Sequence, residues 1–237
     1  MGQKKLIRFA EIETFPNVFQ YPKEMPGKWK DVFNNQNPIT LELACGKGEY
    51  AVGLARLFPN ENFMGIDLKG NRIWVGAKTA LKEGLHNVVF MRTHIDKIAE
   101  YFAPGEVKEI WLTFPDPQLR TSRAKKRLTH PKFLRLYQQI LIAGGSINLK
   151  TDSPVLYEFT KEVIRLYNLE IEKDFDNLYA DELNDPVLNI QTHYEKLDIA
   201  QSNRIHYLRF KLPTTAIPDR DKELKELTVE READRRN

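Results

Sequence analysis

The sequence predicts an α/β fold: a doubly wound, mostly parallel seven-stranded sheet whose last strand runs antiparallel. Three observations carry this. From Pro38 onward, short apolar runs alternate with stretches whose apolar residues recur at helical spacing. The early runs close on glycine, aspartate or proline turns. Residues 174–204, between the last two runs, hold no clear crossover helix, so the seventh strand folds back antiparallel at the far end.

The elements follow in order. Ile39–Leu43 reads as a strand and Gly46-Lys47-Gly48 as a tight turn. Ala51, Leu54, Ala55 and Phe58 share one face of a helix over 49–58, which Pro59-Asn60 ends. Residues 62–66 form a second strand closing on Asp67, and a helix over 71–83 stops at Gly84. A third strand (88–91) and a short helix (95–102) lead to the turn Pro104-Gly105. Strand 109–114 ends in Pro115-Asp116-Pro117. The helix over 131–143 starts at a proline, where a missing N–H removes no hydrogen bond. Strand 145–149, helix 154–167 and strands 169–173 and 205–212 complete the set.

Composition narrows the class. The chain has 237 residues, 41% hydrophobic and 29% charged, with 36 Lys+Arg against 33 Asp+Glu, so 36 − 33 = +3. These values exclude a disordered or collagen-like chain. No apolar run approaches the roughly 20 residues of a bilayer span, and MGQKKLIRF lacks the apolar stretch of a signal peptide. A single cysteine, Cys45, excludes an internal disulfide and fits a reducing, cytoplasmic location. No membrane or metal is expected, and monomer and homodimer both stay open. Three regions are expected. Residues 1–37, broken by Pro16, Pro22 and Pro26, form an irregular basic arm with Lys4, Lys5 and Arg8. Residues 38–212 form the folded domain. Residues 213–237 carry 13 charges in 25 positions and read as a solvated tail, with Leu224 and Leu227 able to anchor a short helix.

Leu41-Glu42-Leu43-Ala44-Cys45-Gly46-Lys47-Gly48 joins the first strand to the first helix. Gly46 and Gly48 let a ligand approach the backbone at the carboxyl end of the sheet. Asp67, 19 residues past Gly48, is placed to meet ribose hydroxyls. Gly46-x-Gly48-x-x-Ala51 also satisfies the dinucleotide fingerprint, so the turn alone leaves a nicotinamide oxidoreductase and an S-adenosylmethionine enzyme open. Glu42 inside the first strand suits the cationic methionine end better than a pyrophosphate. The antiparallel last strand points the same way. Asp96 reads equally as an adenine contact or as a carboxylate at a helix N-terminus.

Pro115-Asp116-Pro117 stiffens the loop where such sheets place their chemistry. Arg120, Arg123, Lys125, Lys126 and Arg127 follow within eight residues. From Pro117 to Thr151 there are eight basic residues, adding Lys132, Arg135 and Lys150, and no acid. A one-sign run beside a cofactor pocket reads as a landing strip for a polyanion.

With these motifs, the sequence resembles the bacterial tRNA (guanine-N7-)-methyltransferases of the TrmB type over about residues 1–212. The carrying residues are Leu41 to Gly48, Gly65-Ile66-Asp67, Phe114-Pro115-Asp116-Pro117, Lys150-Thr151-Asp152 and Thr192-His193-Tyr194-Glu195, with Gly27-Lys28-Trp29 upstream. The resemblance implies a class I methyltransferase fold and methyl transfer from S-adenosylmethionine to N7 of a variable-loop guanosine in tRNA. It implies that Glu42, Asp67, Asp96 and Asp116 contact S-adenosylmethionine and that Asp116 is catalytic. Asp152 and Thr192, His193, Tyr194 and Glu195 match guanosine- or tRNA-binding positions, and Arg120 stands where a substrate-contacting lysine is expected. Gln118 departs from the family's aromatic, and Asp67 from its frequent glutamate. A methyltransferase acting on another RNA stays open. Guanine N7 carries a lone pair and no proton, so the chemistry needs positioning more than a base. His86, His94, His130, His193 and His206 form no clear acid–base pair. Asp152 and Glu195 are the candidates to accept from the guanine edge, and Tyr194 could stack on the base.

Overall fold

The computed structural model describes residues 3–180, 184–193, 195–197 and 204–234. Among them, eight strands form one sheet: β1 (Val18–Gln20), β2 (Ile39–Leu43), β3 (Asn62–Asp67), β4 (Val88–Arg92), β5 (Val107–Thr113), β6 (Leu141–Thr151), β7 (Glu170–Phe175) and β8 (His206–Lys211). Their spatial order is β1-β4-β3-β2-β5-β6-β8-β7. β1 to β6 pair in parallel, and β8 runs antiparallel to both β6 and β7. The expected α/β class and antiparallel last strand are present. That strand does not lie at the far end, however: it is inserted between β6 and β7, which forms the edge.

Every residue of β2 and β3 is buried, as parallel strands are when helices cover both faces. One face carries α1 (Gln3–Ile12), α3 (Glu49–Leu57) and α4 (Gly70–Glu83), whose core includes Ile12, Tyr50, Leu54, Ile73 and Phe90. The other carries α2 (Trp29–Phe33), α5 (Pro131–Ile140), α6 (Pro154–Leu166) and α7 (Asp221–Asp234), packed through Trp29, Leu134, Tyr137, Leu156 and Leu224. Strand order reverses between β2 and β5, so the crevice of a doubly wound sheet opens at their carboxyl ends.

The first 37 residues are not irregular as expected. Trp29 is fully buried, donates to the Tyr101 carbonyl at 2.7 Å and stacks on Phe102. α1 lies on α4, where Glu11 accepts from the Trp74 indole at 2.7 Å and Arg8 sits 4.5 Å over the same ring. The expected solvated tail contains the helix α7, docked by the buried Leu224 and by Asp221, which pairs with Arg135 at 2.8 Å. The helix expected over 131–143 stops at Ile140, because Leu141 is already extended and begins β6. The helix expected over 95–102 is a 3-10 turn, Ile95–Glu100.

Candidate active site

The turn after β2 is shaped by backbone conformations that disfavour side chains. Ala44, Gly46 and Gly48 all have positive φ, at 58°, 56° and 69°. A Cβ on Gly48 would fall 2.3 Å from the ring of Phe90, so the position excludes a side chain. Asp67 ties the turn to β3: its carboxylate accepts from the Gly46 amide at 2.9 Å and from the Lys69 amide at 2.7 Å. Next to the turn lies a cleft of about 410 Å³ lined by Ala44, Asp67, Thr93, Asp96, Lys126 and Lys132, among others. It brings Asp67 and Asp96 together. Asp96 stands in the first turn of the 3-10 segment and forms an ion pair with Lys132.

Glu42 is 2% exposed. Its carboxylate accepts from the Thr113 hydroxyl at 2.6 Å and from the Ala51 amide at 2.9 Å, linking β2, β5 and the start of α3. Burial pushes its pKa up to about 8 against the lowering effect of those two donors, so the unliganded side chain is mostly protonated at neutral pH.

Phe114 and Gln118 bracket Pro115-Asp116-Pro117 with positive φ values of 48° and 46°. Such conformations in non-glycine residues store strain that the surroundings must hold. Asp116 is exposed at the mouth of β5 and accepts from the Gln118 amide at 3.0 Å. Arg127 does much of the holding. It donates to the carbonyls of Pro117 and Gln118, both at 3.1 Å, and lies 4.4 Å over the Phe159 ring. At 2% exposure it is buried and is not part of an RNA-facing strip, which corrects the sequence expectation. Guanidinium–aromatic packing and the need of two loop carbonyls for donors draw it inward.

Lys150 is also buried, and Lys132 and Arg135 are ion-paired with Asp96 and Asp221. The exposed strip therefore reduces to Arg120, Arg123, Lys125 and Lys126, on or beside the 3-10 turn Thr121–Lys126, and none of the four has a salt-bridge partner among the described residues. Lys126 also lines the cleft of Asp67 and Asp96, so strip and cleft are continuous.

Asp152, half-buried, follows the end of β6; the cap of α6 is Ser153, which accepts from the Leu156 amide at 3.3 Å. His193 is exposed, and its amide donates to Glu49 at 2.8 Å. Tyr194 lies outside the described residues. Thr192 and Glu195 are buried and bond reciprocally: the Glu195 amide donates to the Thr192 hydroxyl at 3.2 Å, and the Thr192 amide to the Glu195 carboxylate at 3.4 Å. This is a capping box, signalled by Thr-x-x-Glu and missed in the sequence reading. Among the described residues no three His, Cys, Asp or Glu side chains gather to hold a metal ion.

Comparison with known proteins fixes the family. Residues 36–208 match the family model Methyltransf_4, described as “Putative methyltransferase”. A tRNA (guanine-N(7)-)-methyltransferase of Bacteroides fragilis is 44% identical over 243 residues, covering 99% of this chain and 93% of the relative. The chain belongs to the tRNA (guanine-N(7)-)-methyltransferase family. Other members include those of Porphyromonas gingivalis, 47% identical over 85% of this chain and 86% of the relative, and of Christiangramia forsetii, 47% identical over 90% and 100%. Solved structures with the same fold include the 16S rRNA methyltransferase KamB, with a TM-score of 0.61 at 15% identity over 83% of this chain and 99% of that one. The 16S rRNA (adenine(1408)-N(1))-methyltransferase from Catenulisporales acidiphilia gives 0.60 at 15% identity over 86% and 99%. The glycine turn is thus that of a methyltransferase family and not of a nicotinamide oxidoreductase.

Proposed function

We propose that the chain transfers a methyl group from S-adenosylmethionine to N7 of a guanosine in tRNA, forming 7-methylguanosine. One observation supports this reading beyond family membership: the carboxylate cleft of Asp67 and Asp96 runs into an exposed cation strip through Lys126. Cationic cofactor and polyanionic substrate each meet the opposite charge there. The cradle fits the cofactor, with a glycine turn that excludes side chains, Asp67 at the end of β3, Asp96 in the 3-10 turn after β4 and a third carboxylate, Glu42, behind the glycine turn.

When bound, S-adenosylmethionine supplies an electrophilic methyl group on a sulfonium centre. Asp67 would hold the ribose, Asp96 the adenine and Glu42 the cationic amino-acid end. Each Glu42 oxygen keeps a second lone pair after its present bond. Guanine N7 attacks in line with its own lone pair, so no side chain has to remove a proton first. Holding the reactants in near-attack geometry can supply roughly 7–11 kcal/mol. Asp116, fixed by two prolines and its turn bond, faces the positive charge that spreads over the purine as the methyl arrives. Arg120, Arg123, Lys125 and Lys126 take the phosphates, and Asp152 accepts from the guanine edge. The variable-loop guanosine is the target position this reading adopts. The test is incubation with bulk tRNA and labelled S-adenosylmethionine, then nucleoside analysis. A 7-methylguanosine peak is expected; label in any other nucleoside, or none, overturns the reading.

A further inference from the structure

We propose that Lys150 is a positioning residue that seats the substrate half of the site, with Glu195 as its anchor and not as a reader of guanine. The inference rests on the methyl transfer to tRNA proposed above. Lys150 is the penultimate residue of β6, and its side chain is fully buried. Its three N–H groups serve the carbonyls of Leu188 at 2.7 Å and Ile190 at 3.1 Å and the Glu195 carboxylate at 3.0 Å, with the Tyr179 hydroxyl oxygen 3.3 Å away. The rings of Tyr179, Tyr50 and Phe114 surround it at 5.7, 5.9 and 6.0 Å. Its backbone carbonyl accepts from the Phe114 amide at 2.8 Å, at the root of the Pro115-Asp116-Pro117 loop. One residue thus touches both parts that must meet around a guanine.

Residues 184–193 have no strand pairing that could place them. Tertiary contacts do so instead. Tyr50 donates to the Val187 carbonyl at 2.8 Å, His193 donates to Glu49, and Ile190 packs so close to Gly53 that a Cβ there would lie 2.7 Å from it. Lys150 is the buried ammonium within this set. Burial drives its pKa down, and Glu195 opposes that shift. A buried ion pair is a weak stabiliser against an apolar pair of equal shape, but removing one partner leaves an uncompensated charge. Glu195 is constrained from the other side. One carboxylate oxygen accepts from Lys150 and the Thr192 amide, the other from the Tyr179 hydroxyl, and the side chain is 5% exposed. The oxygen shared by Lys150 and the Thr192 amide has both lone pairs occupied, so a two-point contact with N1–H and N2–H of guanine would require one of those bonds to break. Asp152, two residues beyond Lys150 and half-buried, is already at the strand end.

The full chain, as Lys150→Met and as the double variant Lys150→Met/Glu195→Met, tests this with two measurements. One is amide hydrogen exchange over 184–193 in the free protein. The other is kcat and KM for tRNA. Lys150→Met is expected to speed exchange there by about tenfold or more and to raise KM for tRNA more than it lowers kcat. The double variant removes the uncompensated charge but leaves the Leu188 and Ile190 carbonyls without their donor, so it is expected to regain part of the protection and part of the kcat/KM that Lys150→Met loses. Protection regained without activity would overturn the proposal, because Glu195 would then be needed chemically. Unchanged exchange and KM in Lys150→Met would overturn it too. If Lys150→Met fails to fold, the double variant alone decides by the same readouts. A parent chain that makes no 7-methylguanosine defeats the methyl-transfer reading, whereas the exchange comparison still decides the anchoring.

Discussion

The two halves of the proposed site, one for cofactor and one for substrate, are built from different materials. The cofactor half, at the ends of β2, β3 and β4, is made of backbone: a turn at positive φ and a carboxylate bonded to two amides of its own neighbourhood. The substrate half, beyond β5 and β6, is made of side chains reaching across the chain. Arg127 holds the Pro117 and Gln118 carbonyls, and Lys150 holds residues 188, 190 and 195. A backbone cradle tolerates many substitutions around it and fails only where a Cβ cannot fit. A side-chain scaffold fails wherever one of its few long buried groups is cut.

Five measurements would break or sharpen that contrast. Asp116→Ala should lower kcat by about 10²–10³ while leaving the unfolding midpoint near the parent value, because the residue is exposed. A fold loss of equal size would place Asp116 in the scaffold instead. Replacing Arg120, Arg123, Lys125 and Lys126 by Gln should weaken tRNA binding and reduce the salt slope by about 0.7–0.9 for each phosphate left without its cation. An unchanged slope would put the RNA on another face. Arg127→Met should leave that slope unaltered and lower stability by about 2 kcal/mol, since two loop carbonyls lose their donor. Urea unfolding and a salt series on the same variant check both halves of the statement.

Glu42 gives the fourth. Its folded pKa is raised from 4.5 to about 8, so the native state binds more protons than the unfolded chain between those values. Stability from this group is therefore present at low pH and falls as pH rises through that window. Glu42→Gln should flatten the fall in urea titrations across it. Calorimetry of S-adenosylmethionine binding near pH 7 should register release of about one proton from the parent and none from the variant, if the cationic ligand ionises Glu42. The smallest effect is expected at Ala44, whose φ of 58° suits glycine. Ala44→Gly should raise stability by about 0.5–1 kcal/mol, read from the shift in urea midpoint.

Legibility in the sequence follows the same division. Glu42, Gly46, Gly48 and Asp67 lie within 26 consecutive residues, and a strand, a turn and a helix bring them together by local geometry alone. Their pattern is readable because its causes are local. Arg127 reads as a surface cation, since Phe159, which draws it inward, lies 32 residues away. Glu195 reads as a base acceptor because Lys150 is separated from it by 45 residues. β1 is three residues long and exists only by pairing with β4. α1 escapes detection for a related reason, and α7 is legible only as a short helix that Leu224 and Leu227 could anchor. Polar helices of this kind are held by specific partners, Trp74 for one and Arg135 and Tyr167 for the other.

The insertion of β8 between β6 and β7 bears on how the molecule is made. Along one side β8 pairs with the six residues Ser146 to Thr151 of β6, so until residue 211 has been synthesised that stretch has an open hydrogen-bonding edge. An open edge is a template for pairing with other chains. A nascent or truncated chain ending before β8 would carry that hazard at the very strand that bears Lys150. Once β8 is in place, the strand that bears Lys150 is paired on both sides and the edge is closed.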